Sequence, residues 1–206
     1  MKKTFLLKAA LFSSIAATFN AIAAPTIIPE PPTLGAKGYV LIDYNTGQVL
    51  VEKNANTKLN PASLTKLMTA YVAGQEVKAG NITLDDQVVI SKNAWAKNFP
   101  DSSKMFIEVG TTVPLMDLYR GLIVQSGNDA SVAIAEYVAG SEGAFVNLMN
   151  SWAEKLGLEN TAYTNPHGLD SNGLYSTPMD IAKLGQAIIR DLSLIHISEP
   201  TRQPCI

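Results

Sequence analysis

The chain has 206 residues, 16 basic and 18 acidic side chains, a formal net charge of −2 and one cysteine. No basic stripe with interleaved aromatics runs through it, so nucleic acid is not among its expected partners. The lone Cys205 sits beside the C-terminus, so residues 24–192 can build no disulfide, thiol nucleophile or zinc-thiolate site and must rely on one apolar core.

Residues 1–23 read as a secretory signal. Lys2 and Lys3 give a basic start, Leu6 to Ala17 is mostly apolar, and Ala21-Ile22-Ala23 offers the small residues a signal peptidase reads, with cleavage expected after Ala23. Lys8, Ser13, Ser14, Thr18 and Asn20 make the run too short and too polar for a spanning helix. Residues 24–38 carry Pro25, Pro29, Pro31 and Pro32 and read as an extended leader. Tyr39 to Lys53 then predicts a β-hairpin: Val40, Ile42 and Tyr44 alternate with Leu41 and Asp43, Asn45-Thr46-Gly47 turns, and Gln48 to Val51 returns. Both faces of the hairpin are expected to be buried.

The stretch Asn60 to Thr69 predicts a helix starting at Pro61 with Asn60 as its N-cap and running to about Ala79. Ser63 and Lys66 are three residues apart, so they share a face, with Leu64, Leu67, Met68 and Tyr71 on an adjoining apolar face. If the site is closed off from water, burial disfavours the ammonium, and Lys66 becomes a general base towards Ser63. First-turn N–H groups would then face a developing oxyanion. The bland alternative is two ordinary polar residues near a helix start, because S-x-x-K alone is close to chance in a chain this long.

From Asn81 to Val113 the pattern predicts short strands at Val88–Ile90 and Met105–Ile107 with a turn at Gly110. Lys92 to Lys104 reads as an irregular lid or connector, with Trp95 and Phe99 exposed or half-packed. Helices follow over Pro114–Val124 (Leu115, Leu118, Leu122, Ile123 inward) and Asp129–Ala139, joined by Gln125-Ser126-Gly127-Asn128. An inter-helix turn capped by Asn128 or Asp129 explains that loop without any function. Gly143 to Leu156 predicts a further helix burying Phe145, Leu148, Met149, Trp152 and Leu156 and closed by Gly157. Thr177-Pro178-Met179-Asp180 opens the last one like a capping box, with Ile181, Leu184, Ile188 and Leu192 inward. His167 is the single histidine before residue 193, and a lone histidine builds no metal site and need not be a triad base.

Ser63-x-x-Lys66 and Ser126-x-Asn128 together resemble the signature of the penicillin-recognising serine enzymes, whose third element is K-T-G. More closely, the chain resembles the exported D-alanyl-D-alanine carboxypeptidases, the low-molecular-mass penicillin-binding proteins. Gly38 to Tyr44 with Thr46-Gly47, Leu59 to Thr69, Val124 to Ala130, Tyr137 to Ser141, Lys155 to Leu158 and His167-Gly168-Leu169-Asp170 all carry the likeness. It implies an α/β (α+β) serine β-lactamase/D,D-peptidase-like fold over residues 39–192, here incomplete: an N-terminal hairpin and the helical subdomain, with the remaining sheet strands missing. It also implies roles. Ser63 is the acyl-ester nucleophile, Lys66 the general base, Ser126 a proton relay and Asn128 a substrate-binding amide. His167 is a tentative substrate-binding residue beside a purely structural role. The implied partners are peptidoglycan stem peptides ending in D-Ala-D-Ala and β-lactam antibiotics, with no metal or organic cofactor. The implied location is the periplasm, at the outer face of the inner membrane, held there by a C-terminal region absent from this chain.

At Ser193 the likeness stops. Residues 193–206 read as foreign sequence fused to a truncated frame, so His196 and Cys205 carry no functional weight. No K-T-G occurs in the chain. The expectation is an active parent and an incompetent, aggregation-prone fragment with an unpaired hairpin. Two further readings stay open: a β-lactamase on the same fold, although Glu159-Asn160 lacks the surroundings of a deacylating carboxylate, and a non-catalytic exported scaffold.

Overall fold

The structure, a computed structural model, describes residues 32–192. The expected signal and foreign tail lie outside the described residues. Two strands, β1 (Tyr39–Ile42) and β2 (Val49–Lys53), pair antiparallel with Tyr39 opposite Lys53 and an irregularity between Leu41 and Ile42. The Asp43 carboxylate accepts the Thr46 N–H and hydroxyl and so closes the turn. The expected hairpin is present, but its faces are not buried: Leu41 is 57% and Leu50 56% exposed. Among the described residues no third strand joins this sheet, and the last helix packs on β1.

The chain then makes a 3₁₀ turn, Ala62–Leu64, before α1 (Thr65–Lys78). The α-helix therefore starts four residues later than the Asn60/Pro61 pattern predicts. The reason lies at Ala62, whose φ of +46° cannot belong to an α-helix. Asn60 still accepts the Ala62 N–H, so it caps the turn and not the helix. The expected apolar face is also narrower: Leu64 is 51% exposed, whereas Met68 and Tyr71 are buried.

After α1, β3 (Gln87–Val89) pairs with β4 (Thr112–Pro114), which leads directly into α2 (Leu115–Val124). Met105–Ile107 is not the expected strand. Its Met105 and Ile107 N–H groups go to the two oxygens of the Asp129 carboxylate, and Phe106 between them has φ +65°, which no ladder tolerates. Phe99, expected exposed or half-packed, is buried beneath this segment in the core with Ala94 and Ile107. The second expected helix is α3 (Asn128–Ala139), but neither Asn128 nor Asp129 caps it. Gly127 is the N-cap, because Asp129 is committed to residues 105 and 107.

The helix α4 (Glu142–Lys155) starts one position before the predicted Gly143 and is capped by the Ser141 hydroxyl, and α5 (Pro178–Leu192) is capped by Thr177 Oγ1, which accepts the Asp180 N–H. The reciprocal half of the capping box is missing. Asp180 turns instead to the Asn160 N–H and the Thr161 hydroxyl, each at 2.8 Å.

Two core clusters flank α1. Ala70 and Ala73 face one with Leu115, Leu118, Leu122 and Ile134; Met68, Tyr71 and Val72 face the other with Phe145, Met149 and Leu184. Each large side chain buried this fully contributes about 1.5–3 kcal/mol by area. Gly74 lets α5 lie close, since a Cβ there would come within 2.6 Å of Leu192 Cδ1. The central helix, held on both sides, is a rigid base for whatever its N-terminal end presents.

Candidate active site

The N-terminal end of α1 presents Ser63 exposed and Lys66 nearly buried, at 6%. Lys66 Nζ lies 3.3 Å from Ser63 Oγ and donates at 2.6 Å to the backbone carbonyl of His167. Burial pushes the amine down from 10.5 to about 8. That carbonyl is the ammonium's close polar partner, and no carboxylate pairs with Lys66 among the described residues.

A cavity of about 160 Å³ opens beside this pair, lined by Ser63, Leu64, Lys66, Leu67, Ala70, Leu122, Ile123, Ser126 and Ile188. Ser126 reaches it because the loop between α2 and α3 turns back on itself, with Ser126 at φ +56° and the Gly127 N–H bonded to the Gly121 carbonyl. Ser126 is not hydrogen-bonded to Ser63 or Lys66 among the described residues. A larger hollow, about 330 Å³, lies between β1 and α5 and holds neither Ser63 nor Lys66. Size alone therefore does not mark the chemistry.

The other two candidates are placed differently. Asn128 is buried; its amide donates to Ser102 Oγ at 3.0 Å and its N–H to the Ser103 carbonyl, so it ties the 101–108 segment to α3. The His167 ring is outside the cavity, edge-on to Phe99, with Nε2 3.9 Å from Glu142 Oε1. Its Nδ1 accepts the Leu169 N–H, which fixes the neutral tautomer with the proton on Nε2. It is the backbone of His167 that meets Lys66.

Burial first, and then the Lys66 charge, push His167 down to about 4. An unfolded histidine takes a proton near 6.5 and the folded one does not, so stability falls as pH drops from 6.5 to about 4 and no further below on this account. We expect the loss of melting temperature between about pH 7 and about pH 4.5 to shrink in His167→Gln. An equal loss in both proteins would overturn this.

Sequence reasoning missed three groups that shape the site: Asp129, treated as a cap, Asn165 and Gly168. Asn165 is 6% exposed and Gly168 has φ +87°. The signals available for the last two are the turn composition of Asn165-Pro166-His167-Gly168 and, for Gly168, the resemblance carried by His167-Gly168-Leu169-Asp170.

A family model described as D-alanyl-D-alanine carboxypeptidase matches residues 26–203. The chain belongs to the D-alanyl-D-alanine carboxypeptidase family. It is 52% identical over 170 residues to the carboxypeptidase DacA of Escherichia coli K12, a match covering 81% of this chain and 42% of that relative. It is 41% identical over 155 residues to DacF of Bacillus subtilis, covering 75% of this chain and 39% of that one. Among solved structures, penicillin binding protein 5 from Haemophilus influenzae aligns with a TM-score of 0.78 at 50% identity, over 80% of this chain and 48% of that one. Penicillin binding protein 6B from Escherichia coli gives 0.78 at 46% identity, over 84% and 56%. The fold is thus the mixed α/β fold of the serine penicillin-binding proteins, and the chain spans about half the length of the relatives it matches. The family match extends past residue 192, into the segment where the sequence likeness was expected to stop.

Proposed function

We propose that this chain carries the nucleophile-bearing part of a serine-type D-Ala-D-Ala carboxypeptidase that trims peptidoglycan stem peptides and is acylated by β-lactams. One observation carries the reading: an exposed serine hydroxyl 3.3 Å from a buried lysine whose amine is pushed down to about 8. At pH 7 roughly a tenth of such an amine is neutral, enough for a general base.

In this reading the neutral Lys66 takes the Ser63 proton as Oγ bonds to the carbonyl carbon between the two D-alanines. The tetrahedral intermediate collapses and the C–N bond breaks as Ser126, across the cavity, gives its hydroxyl proton to the leaving D-alanine amine and is reprotonated by the Lys66 ammonium, which leaves Lys66 neutral again. Water then attacks the Ser63 ester, Lys66 accepts its proton and returns it to Ser63 Oγ as the C–O bond breaks, and the shortened peptide leaves. Asn128 holds the substrate amide once its bond to Ser102 Oγ is exchanged, and His167 serves the site through its carbonyl. Export by residues 1–23, cleavage after Ala23 and action in the periplasm, with the parent held at the inner membrane's outer face, complete the proposal. A β-lactamase would need a deacylating carboxylate, and Glu159, the sequence candidate, is exposed.

The test is labelling by a fluorescent penicillin, read by intact mass, on this chain and on the chain extended to the length of its relatives. We expect the extended protein to label, Ser63→Ala to abolish labelling, and the acylation rate to climb with pH through about 8 as Lys66 loses its proton. The unextended chain, which has no K-T-G, should not label. A folded extended protein that stays unlabelled, or a rate rising only near 10.5, the ordinary lysine value, sinks the serine–lysine mechanism.

A further inference from the structure

The acceptor opposite Lys66 is a loop carbonyl, and a loop carbonyl is only as well placed as its loop. Residues 165–171 carry no regular secondary structure, yet they make three close contacts with the start of α1. The Pro166 carbonyl accepts the Thr69 hydroxyl at 2.6 Å, and the His167 carbonyl accepts Lys66 Nζ at 2.6 Å. Gly168, at φ +87°, lies so near the Ala62 carbonyl oxygen that a Cβ would come within 1.9 Å of it. Ala62 is itself strained, at φ +46°, and directly precedes Ser63. The loop therefore bears on both the serine and the lysine.

The Asp170 carboxylate also accepts Asn60 Nδ2 at 2.5 Å, and within the loop one carboxamide makes four hydrogen bonds. Asn165 Oδ1 accepts the N–H groups of His167 at 3.2 Å and Gly168 at 2.6 Å, while Nδ2 donates to the Leu169 carbonyl at 2.9 Å and Ser171 Oγ at 3.0 Å. Two donors and two acceptors are thereby used in full, inside a residue 6% exposed. A carboxylate or hydroxyl could not complete this set.

We propose that Asn165 is a positioning residue: its carboxamide folds residues 165–171 into the shape that delivers the His167 carbonyl to Lys66 and seats Gly168 against the Ala62–Ser63 turn. The catalytic half of this proposal rests on the carboxypeptidase reading; the half concerning Lys66 does not. Without the carboxamide, the 167 and 168 N–H groups seek water, the loop opens, and the Lys66 amine becomes hydrated.

The experiment follows Lys66 by the pH dependence of its [¹³Cε]lysine signal in this chain, assigned by its loss in Lys66→Arg. In Asn165→Ala we expect the Lys66 pKa to rise by at least about half a unit from about 8 towards 10.5. In the extended protein we expect penicillin acylation to slow at least about tenfold, with noncovalent affinity little changed. A purely structural asparagine would lower the melting temperature and leave the native-state titration of Lys66 where it was, and that result overturns the proposal. Should Asn165→Ala fail to fold, Asn165→Ser, which keeps a hydroxyl for the Gly168 N–H, is read by the same criterion. If the extended wild type does not acylate, the carboxypeptidase reading falls, while the Lys66 titration still decides whether Asn165 sets the lysine.

Discussion

Gly168→Ala is expected to destabilise the protein by about 3–5 kcal/mol, because left-handed strain and overpacking act at the same atom. The backbone there has φ +87°, and the new methyl would lie 1.9 Å from the Ala62 carbonyl oxygen and 2.5 Å from its carbon. Neither neighbour is a flexible side-chain end; both are backbone of the turn that carries Ser63. Relief requires the loop or the turn to move, and either movement separates Lys66 from the His167 carbonyl. Denaturant melts should show a lower midpoint with an unchanged slope. A shift worth less than about 1 kcal/mol would mean that the two backbones are not in the contact described here.

Asp129→Ala should cost a similar amount, about 3–5 kcal/mol, by a different route. The carboxylate is fully buried and accepts the N–H groups of Met105 at 2.8 Å, Ile107 at 3.2 Å and Ala130 at 2.9 Å. Its removal strands these donors and releases the 101–108 segment, which is otherwise tied to α3 through Ser102 and Ser103. Asp129→Asn keeps one accepting oxygen and should lose about half as much. Amide exchange at Met105 and Ile107 gives the local reading: both should lose protection in Asp129→Ala well before the α1 core does. Protection unchanged at these two amides would refute the assignment.

The helices were legible because their cause is local. Leu115, Leu118 and Leu122 repeat at helical spacing, as do Phe145 and Met149, and all five are buried. Ser63, Lys66 and Ser126 were legible as a set because two short motifs mark them, and they do line one cavity. What escaped has a non-local cause. Met105–Ile107 has strand composition, but its N–H groups are taken by a carboxylate more than twenty residues away. The start of α1 follows the cap rules only in part, because Ala62 is held at positive φ against Gly168, which is distant in sequence. The burial of the hairpin was misjudged for a related reason: alternation in Val40 to Tyr44 says which residues prefer to be covered, not whether anything among the described residues covers them.

The neutral acceptor opposite Lys66 has a further consequence. A lysine paired with a carboxylate must abandon an anion whenever it surrenders its proton, and that penalty varies with the counterions in the medium. Here the companion is the His167 carbonyl, a dipole with no net charge, so the amine can cycle between its two forms without creating or erasing an ion pair. In the proposed mechanism, proton transfer between Ser63 and Lys66 would therefore depend less on ionic strength than on how dry the cavity is. Hydration, more than salt, is the variable that would tune this lysine in its surroundings.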